Sequence, residues 1–276
     1  MDKTQGPSTP ESWGAASRGY ADKVAPLLMA SYVEEFADRL DIGAGHDVVE
    51  VAAGTGALTS VLARRAKSVL ATDFAPKMIE VLRERLAQAG ATNVRFEVMD
   101  GQALELEDDS FDRAACCFGL MLFPDRAKGF SELRRVVRPG GRAMVSGWAG
   151  PDKFEAFALF LGALKSAFPD LPPPPTPPPV FALADLDRFK AEMQAAGFED
   201  VEVGYVSREL VVDDFETIWA MMTAGAPPVQ ALFDMAGPDG EQRVRDSLSE
   251  IVAKRFGGEP IRVTNAATVG SGIVAR

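Results

Sequence analysis

Seven consecutive residues, Glu50-Val51-Ala52-Ala53-Gly54-Thr55-Gly56, put an acid just ahead of a tight glycine turn. The apolar run Asp47 to Ala52 leads into that turn, and Leu58 to Ala66, with helical spacing, leads out of it. A strand, a glycine turn and a helix in that order present free backbone N–H groups to a closely approaching ligand, and the helix dipole favours an anionic group there. Glycine supplies both the unusual torsions and the room. A dinucleotide fingerprint wants a third glycine where Thr59 stands, and a phosphate loop wants Gly-Lys-Ser/Thr, which the sequence lacks. A loop this poor in glycine, with a carboxylate close before it, suits a nucleoside that carries no phosphate.

Two further acids occupy matching places. Asp73 ends the run Ser68 to Thr72, where a carboxylate can accept both hydroxyls of a ribose. Asp100 ends the alternating run Val94 to Met99, beside Gly101 and Gln102, and is placed to accept from the exocyclic amine of adenine. Singly, each aspartate reads equally well as a helix cap or loop residue. Three strand ends in order, each with a suitable group, weigh more than any one of them.

Groups for acid–base work are scarce. His46 is the only histidine and precedes the first strand, at the end of the sheet away from the turn. Of the three tyrosines, Tyr20, Tyr32 and Tyr205, only Tyr20 is a candidate to face a pocket. No catalytic residue is assigned. Cys116 and Cys117 are adjacent, so on a strand they point to opposite faces and cannot bridge; they read as buried, unreactive thiols, and nothing in the spacing resembles a metal site.

Elements that would position these groups follow from periodicity. Strands are expected at Asp47–Ala52, Ser68–Thr72, Val94–Met99, Phe111–Phe118 and Arg142–Trp148. Helices are expected at Ala25–Leu40, Leu58–Ala66, from Pro76 to near Gly90, and at Arg126–Val137, which an Arg138-Pro139-Gly140-Gly141 turn closes. That alternation implies an α/β, Rossmann-like fold: a seven-stranded, mostly parallel sheet with helices on both faces. After Trp148 come a helix from Phe154 to Phe168, a nearly pure proline run from Pro172 to Pro179 read as a linker rather than a peptide ligand, a helix from Asp185 to Ala196, and a strand from Val201 to Val212. Asp213 to Phe256 is helical, interrupted at Pro227-Pro228 and Gly237-Pro238. Ile261 to Val274 is a strand in which Gly270 and Gly272 suggest a bulge or turn. The domain reading is therefore a tail and ligand-covering segment at 1–24, a Rossmann-like core at 25–150, linker, helix and strand completing it at 151–212, a helical cap insertion at 213–258 and a last strand at 259–276.

The 276 residues carry a formal net charge of −11. Nucleic-acid backbones demand basic surface, so a nucleic-acid partner is not expected; Arg134, Arg135, Arg138 and Arg142 read as a solvated helix end and turn. No apolar window has the length of a membrane span, and the polar, proline-bearing N-terminus is unlike a secretory signal; a cytoplasmic protein is expected. The oligomeric state is left open.

The segments VVEVAAGTGALT (48–59), ATDFAPKMI (71–79), VMDGQALELEDDSFDRAACCFGLMLFPD (98–125) and ELRRVVRPGGRAMVSGW (132–148) resemble the class I S-adenosylmethionine-dependent methyltransferases, in the branch of ubiquinone and menaquinone C-methyltransferases. The resemblance implies S-adenosylmethionine as cofactor. By position, Glu50 and the backbone from Ala52 to Gly56 would hold its methionine part. Asp73 would bind the ribose, Phe74 and Met78 would pack near adenine, and Asp100, Gly101 and Gln102 would read the adenine edge. Phe118 would lie beside the methionyl group, and Trp13 and Tyr20 match a segment that closes over the cofactor in relatives. Packing in the core explains Phe74, Met78 and Phe118 equally simply. Relatives carry aspartate at 50 and often cysteine or glycine at 53, against Glu50 and Ala53 here; the carboxylate is kept.

No Asn-Pro-Pro-Tyr pattern follows the fourth strand; Phe118-Gly-Leu-Met-Leu-Phe123 is apolar instead. With Phe154, Phe157, Phe160, Trp219, Met221 and Met222 in or near the cap, this points to C- or O-methylation of a small apolar or aromatic molecule. Two other classes stay in view: a non-catalytic homologue acting as an interaction module, and a nicotinamide-dependent reductase, against which Thr59 and the lack of a tyrosine–lysine pair argue.

Overall fold

The computed structural model describes residues 8–171, 178–225 and 227–276. Seven strands form one sheet: β1 (Asp47–Val51), β2 (Ser68–Asp73), β3 (Val94–Val98), β4 (Phe111–Cys116), β5 (Val137–Trp148), β6 (Phe198–Val212) and β7 (Ile261–Val274). Their order across the sheet is β3-β2-β1-β4-β5-β7-β6, with β7 antiparallel to both neighbours and the first five strands parallel. The central strands are valine- and alanine-rich because both faces are covered: Val48, Val49, Val69, Ala114, Ala115 and Val145 are each fully buried.

Helices on the two faces supply the cover. They are α1 (Pro10–Gly19), α2 (Val33–Asp38), α3 (Thr59–Arg65), α4 (Pro76–Gln88), α5 (Arg126–Val136), α6 (Glu155–Ala167) and α7 (Leu186–Ala195). Pro76 opens α4 at the position where its missing N–H costs nothing. The apolar face of α4 then sets Ile79, Leu82 and Leu86 against Ala53 and Ala71 in a small core of its own. Burying Leu82 alone stabilises that contact by about 1.5–3 kcal/mol. The side chain of Asp125 caps α5 by accepting from the Lys128 N–H at 3.0 Å.

Between β6 and β7 the chain leaves the sheet as α8 (Phe215–Thr223), α9 (Pro227–Ala236) and α10 (Gly240–Phe256). Pro227 begins α9 and thus starts a helix as well as breaking one. α8, α9 and the link between them meet the N-terminal segment at a close seam, and α10 packs on α6. A β-carbon on Gly19 would lie 2.8 Å from the Ala224 carbonyl oxygen, and one on Gly225 would lie 2.4 Å from the Tyr20 nitrogen. Two glycines are what lets the backbones touch.

Several sequence expectations change. The single helix expected over Ala25–Leu40 is two pieces: a wide-turn helix at Tyr20–Met29, in which Ala30 N–H reaches back five residues to the Ala25 carbonyl (3.1 Å), and the short α2. Pro26 sits inside the first piece, where it has no N–H to give to an ordinary α-helical ladder. The Arg138–Gly141 turn is an excursion within β5, since pairing steps from Phe111↔Val137 directly to Arg113↔Arg142. Gly270 and Gly272 mark no bulge in β7; the irregularity lies in β6, between Glu199 and Glu202. They are close-approach positions: a β-carbon at Gly270 would lie 2.7 Å from Met193 Sδ, on α7, and one at Gly272 would lie 3.0 Å from Phe198 Cβ. Most of the proline run read as a linker lies outside the described residues, and Pro179–Phe181 forms one turn of 3₁₀ helix. Among the described residues no helix is long and apolar enough to cross a membrane, and no cluster of His, Cys, Asp and Glu is gathered as a metal site requires. Arg135 is paired with Glu132 and Asp108, and Arg138 with Asp112.

Candidate functional site

Parallel pairing brings the carboxyl ends of β1, β2 and β3 into one row. Ala53 N–H donates to the Thr72 carbonyl at 2.9 Å, and Met99 N–H donates to the Asp73 carbonyl at 3.1 Å. The turn after β1 rises through three left-handed torsions, at Ala52 (φ 55°), Gly54 (φ 56°) and Gly56 (φ 89°). An alanine in that region is strained, and the space it fills is taken from Gly119: a β-carbon there would lie 2.4 Å from Ala52 Cβ.

Asp73 sits at the centre of the row. One carboxylate oxygen accepts from Gly54 N–H and the other from Ala75 N–H, each at 2.9 Å. Two oxygens offer about four acceptor positions, so the carboxylate keeps capacity toward the cleft that it lines. Burial pushes its pKa up to about 6, against the pull of those two backbone donors. Asp100 forms the rim: its Oδ1 accepts from the backbone N–H and the side-chain amide of Gln102, and Gln102 Oε1 accepts from Asp125 N–H at 2.8 Å.

The resulting cleft opens to solvent, and its empty space with that opening counted is about 740 Å³. Ala52, Gly54, Asp73, Phe74, Met78, Asp100, Gly101, Gln102 and Phe118 line it, and so do Trp13 and Tyr20 from across the opening. Trp13 and Tyr20 meet edge to face at 5.7 Å. The segment that carries them is fastened to α4 by the Arg18–Glu84 ion pair at 2.8 Å and by Arg85 donating to the Ala21 carbonyl at 3.0 Å. Among the described residues lining the cleft the charged side chains are Asp73 and Asp100, both acids.

Glu50 and Gly56 stand behind this wall. Glu50 is 1% exposed and accepts from the Thr59 hydroxyl at 2.6 Å; burial raises its pKa to about 8 despite that bond. Gly56 is where α4 presses closest, since a β-carbon would lie 2.1 Å from Leu82 Cδ1. Thr59, where a dinucleotide site would have glycine, is thus the partner of Glu50.

Phe118 follows β4 with φ 57°, a left-handed torsion costing about 1–3 kcal/mol for a bulky residue. Its N–H donates to Ser146 Oγ at 3.1 Å, and its ring stacks on Trp148 with centroids 4.1 Å apart. Trp148 stacks in turn on Phe154 at 4.5 Å. Behind Phe118 lies a second cavity, open to solvent at its mouth, with about 640 Å³ of empty space when that opening is counted. It shares Trp13, Tyr20, Phe118 and Leu122 with the cleft. The rest of its wall comes from the wide-turn helix (Val24, Leu28, Met29), from Met121, Trp148, Phe154, Phe157 and Val180, and from the cap (Met221, Met222, Pro228, Val229). Tyr20 lies on the boundary and its hydroxyl donates to Met29 Sδ at 3.0 Å. Burial pushes that phenol far above its ordinary pKa.

The remaining candidates are elsewhere. His46 closes the loop before β1, its Nδ1 accepting from Gly43 N–H at 2.9 Å. Tyr32 is buried with its hydroxyl on the Asn265 carbonyl (2.6 Å), and Tyr205 donates to the Ala184 carbonyl (3.1 Å). Phe160 and Trp219 are packed against Phe233 and do not line the second cavity. Sequence reading missed Ser8, Met99, Cys117 and Pro124 on the cleft wall, while Gly119, Leu122 and Phe123 belong to the apolar segment 118–123 that it singled out. Cys117 adjoins Phe118 and was findable from it; Ser8 carries no local signal.

A family model described as "Methyltransferase domain" matches residues 48–141. The chain is 41% identical over 108 residues to a demethylmenaquinone methyltransferase of Clavibacter sepedonicus, covering 39% of this chain and 43% of that protein. It is 36% identical over 167 residues to a demethylmenaquinone methyltransferase of Thermus thermophilus, covering 55% of this chain and 73% of that one. It spans roughly half the length of the first curated relatives that it matches. In structure it is similar to the YcgJ protein of Bacillus subtilis, with a TM-score of 0.59 at 19% identity over 89% of this chain and 99% of that one.

Proposed function

This chain belongs to the class I S-adenosylmethionine-dependent methyltransferases, and on that premise we propose that it transfers the methyl group to a small apolar or aromatic molecule, at carbon or oxygen. One observation carries the reading: the cleft holds two acids and no cationic side chain on its described wall. Such a wall suits a sulfonium with an uncharged nucleoside and opposes the pyrophosphate of a nicotinamide dinucleotide.

S-Adenosylmethionine, when bound, supplies a methyl group already activated by its positive sulfur. What remains for the protein is to bind, orient and exclude water. Asp73 would take the ribose hydroxyls on the acceptor positions that Gly54 and Ala75 leave free. Asp100, Gly101 and Gln102 would read the adenine edge, and Phe74 and Met78, which line the same cleft, would pack near the ring. The backbone from Ala52 to Gly54 would hold the methionine part, while Glu50, tied to Thr59, holds the turn from behind. Tyr20 and Trp13 cover the opening from the N-terminal side, and Phe118 separates the cleft from the apolar cavity beyond.

Calorimetry with S-adenosylmethionine, followed by transfer of labelled methyl to phenols and quinols, tests the reading. Binding and transfer are expected. Binding with no transfer to any small molecule favours an interaction module, and tryptophan quenching by NADH but not by S-adenosylmethionine favours a reductase.

A further inference from the structure

The second cavity is bounded by five stretches of chain far apart in sequence, and its described wall holds no charged side chain. Its side-chain hydrogen-bonding groups are the Tyr20 hydroxyl and the Trp13 indole N–H, both on the boundary with the cleft, and the indole N–H of Trp148 deeper in the wall; of these the Tyr20 hydroxyl is the one that can turn toward a ligand at the cleft. A ligand bearing a charge would therefore be desolvated there with no counter-charge. The Tyr20 hydroxyl is spent on the thioether of Met29, and a thioether is a weak acceptor. An oxygen entering the cavity would be a better partner within the same reach. Because burial holds the phenol protonated, Tyr20 can donate but cannot serve as a base.

We propose that this cavity is the acceptor chamber, that it takes an uncharged apolar ring bearing one hydroxyl or carbonyl oxygen, and that Tyr20 positions the ring by transferring its hydrogen bond from Met29 Sδ to that oxygen. The assignment rests on the methyl-transfer reading above. It adds the charge state of the acceptor, the polar atom it must carry, and the residue that fixes its orientation at the boundary with the cleft. Trp148, stacked with Phe118 and with Phe154, gives the chamber a stiff aromatic wall. Met221 and Met222 from the cap give it an adaptable one.

The test uses 1-naphthol, naphthalene and 1-naphthoate as probes of the full chain, followed by quenching of tryptophan emission. 1-Naphthol is expected to bind at least tenfold more tightly than 1-naphthoate. In Tyr20→Phe the ratio of 1-naphthol to naphthalene affinity is expected to fall at least fivefold. In Met29→Leu, which frees the hydroxyl, that ratio is expected to hold or rise. A merely structural Tyr20–Met29 bond would make the two variants behave alike, and that result overturns the proposal, as does a 1-naphthoate affinity equal to that of 1-naphthol. Should Tyr20→Phe fail to fold, the Met29→Leu ratio and the charge preference still decide. Calorimetry of the wild-type chain with S-adenosylmethionine separates the two levels: no binding there sinks the methyl-transfer reading whatever the probe ratios show.

Discussion

Asp73 and Gly54 are joined at 2.9 Å, carboxylate oxygen to backbone N–H, so that the end of β2 grips the turn that follows β1. The same carboxylate caps the entrance to α4 through Ala75. One side chain therefore shapes the loop and faces the cleft.

Asp73→Ala is expected to weaken S-adenosylmethionine binding by about 1–3 kcal/mol, the cost of leaving polar partners unmatched. Asp73→Asn keeps the volume but turns an amide N–H toward one of two backbone donors, so part of the loss should persist. Titration calorimetry on both variants reads the effect, and wild-type affinity in either removes Asp73 from the site.

Buried acids give the ligand-free protein an unusual pH profile. Glu50 and Asp73 titrate near 8 and 6 in the folded chain, raised from ordinary carboxylate values near 4 by burial. The folded state then binds more protons than the unfolded one between those limits. Their contribution to stability is complete at acid pH below the ordinary values and is lost as pH rises through about 6 and then about 8. Urea midpoints should fall across that window, less steeply in Glu50→Gln. Ligand affinity runs the other way: ionised Asp73 is the better acceptor for ribose hydroxyls, so binding should tighten as pH rises through about 6, a dependence absent in Asp73→Asn.

Ala52 and Gly119 share one small space. Gly119→Ala would put two β-carbons 2.4 Å apart and press on Cys116 Sγ at 3.1 Å. Overpacking of this kind destabilises by about 1–3 kcal/mol. Ala52→Gly, at φ 55°, relieves a left-handed alanine and should be neutral or stabilising by up to about 1 kcal/mol. The double variant is expected to recover much of the Gly119→Ala loss; additive effects in denaturant melts would show that the two sites do not communicate.

Gly225→Ala tests the seam between the cap and the N-terminal segment. Its β-carbon would meet the Tyr20 nitrogen at 2.4 Å and the Ala16 carbonyl oxygen at 2.7 Å, at a φ of 107° that alanine avoids. Backbone cannot yield as a side-chain tip can. The expected result is faster hydrogen exchange across 10–29 and loss of 1-naphthol binding, with the exchange of β1, β2 and β4 unchanged.

Much of the cofactor side was legible because it is local: Asp73 and Asp100 each end an apolar run, and Pro76 signals the helix that follows. The first left-handed position of the turn was hidden, since it holds Ala52 where glycine would have announced it. Gly270 and Gly272 were misread because their reason lies in α7 and in β6, not in β7 itself. Pro26 within an apolar stripe did not betray the change to wide turns. Of the second cavity, Phe118, Phe154, Phe157, Met221 and Met222 were legible as apolar residues in three distant segments, but Val24, Leu28, Met29, Trp148 and Val180 join them only through tertiary packing.

Val212 and Ile261 pair across the first rung of the β6–β7 hairpin, so the cap leaves and re-enters the sheet at neighbouring positions. Adjacent antiparallel strands stand about 4.8 Å apart, and the entropy of closing a loop between such fixed ends changes only slowly with its length. The three cap helices are therefore tethered to the sheet at a single point, and what fixes their placement is the seam at Gly19 and Gly225 and the packing of α10 on α6. A replacement that keeps that seam but differs in size or lining is expected to reshape the second cavity while the ends of β1, β2 and β3 keep their register.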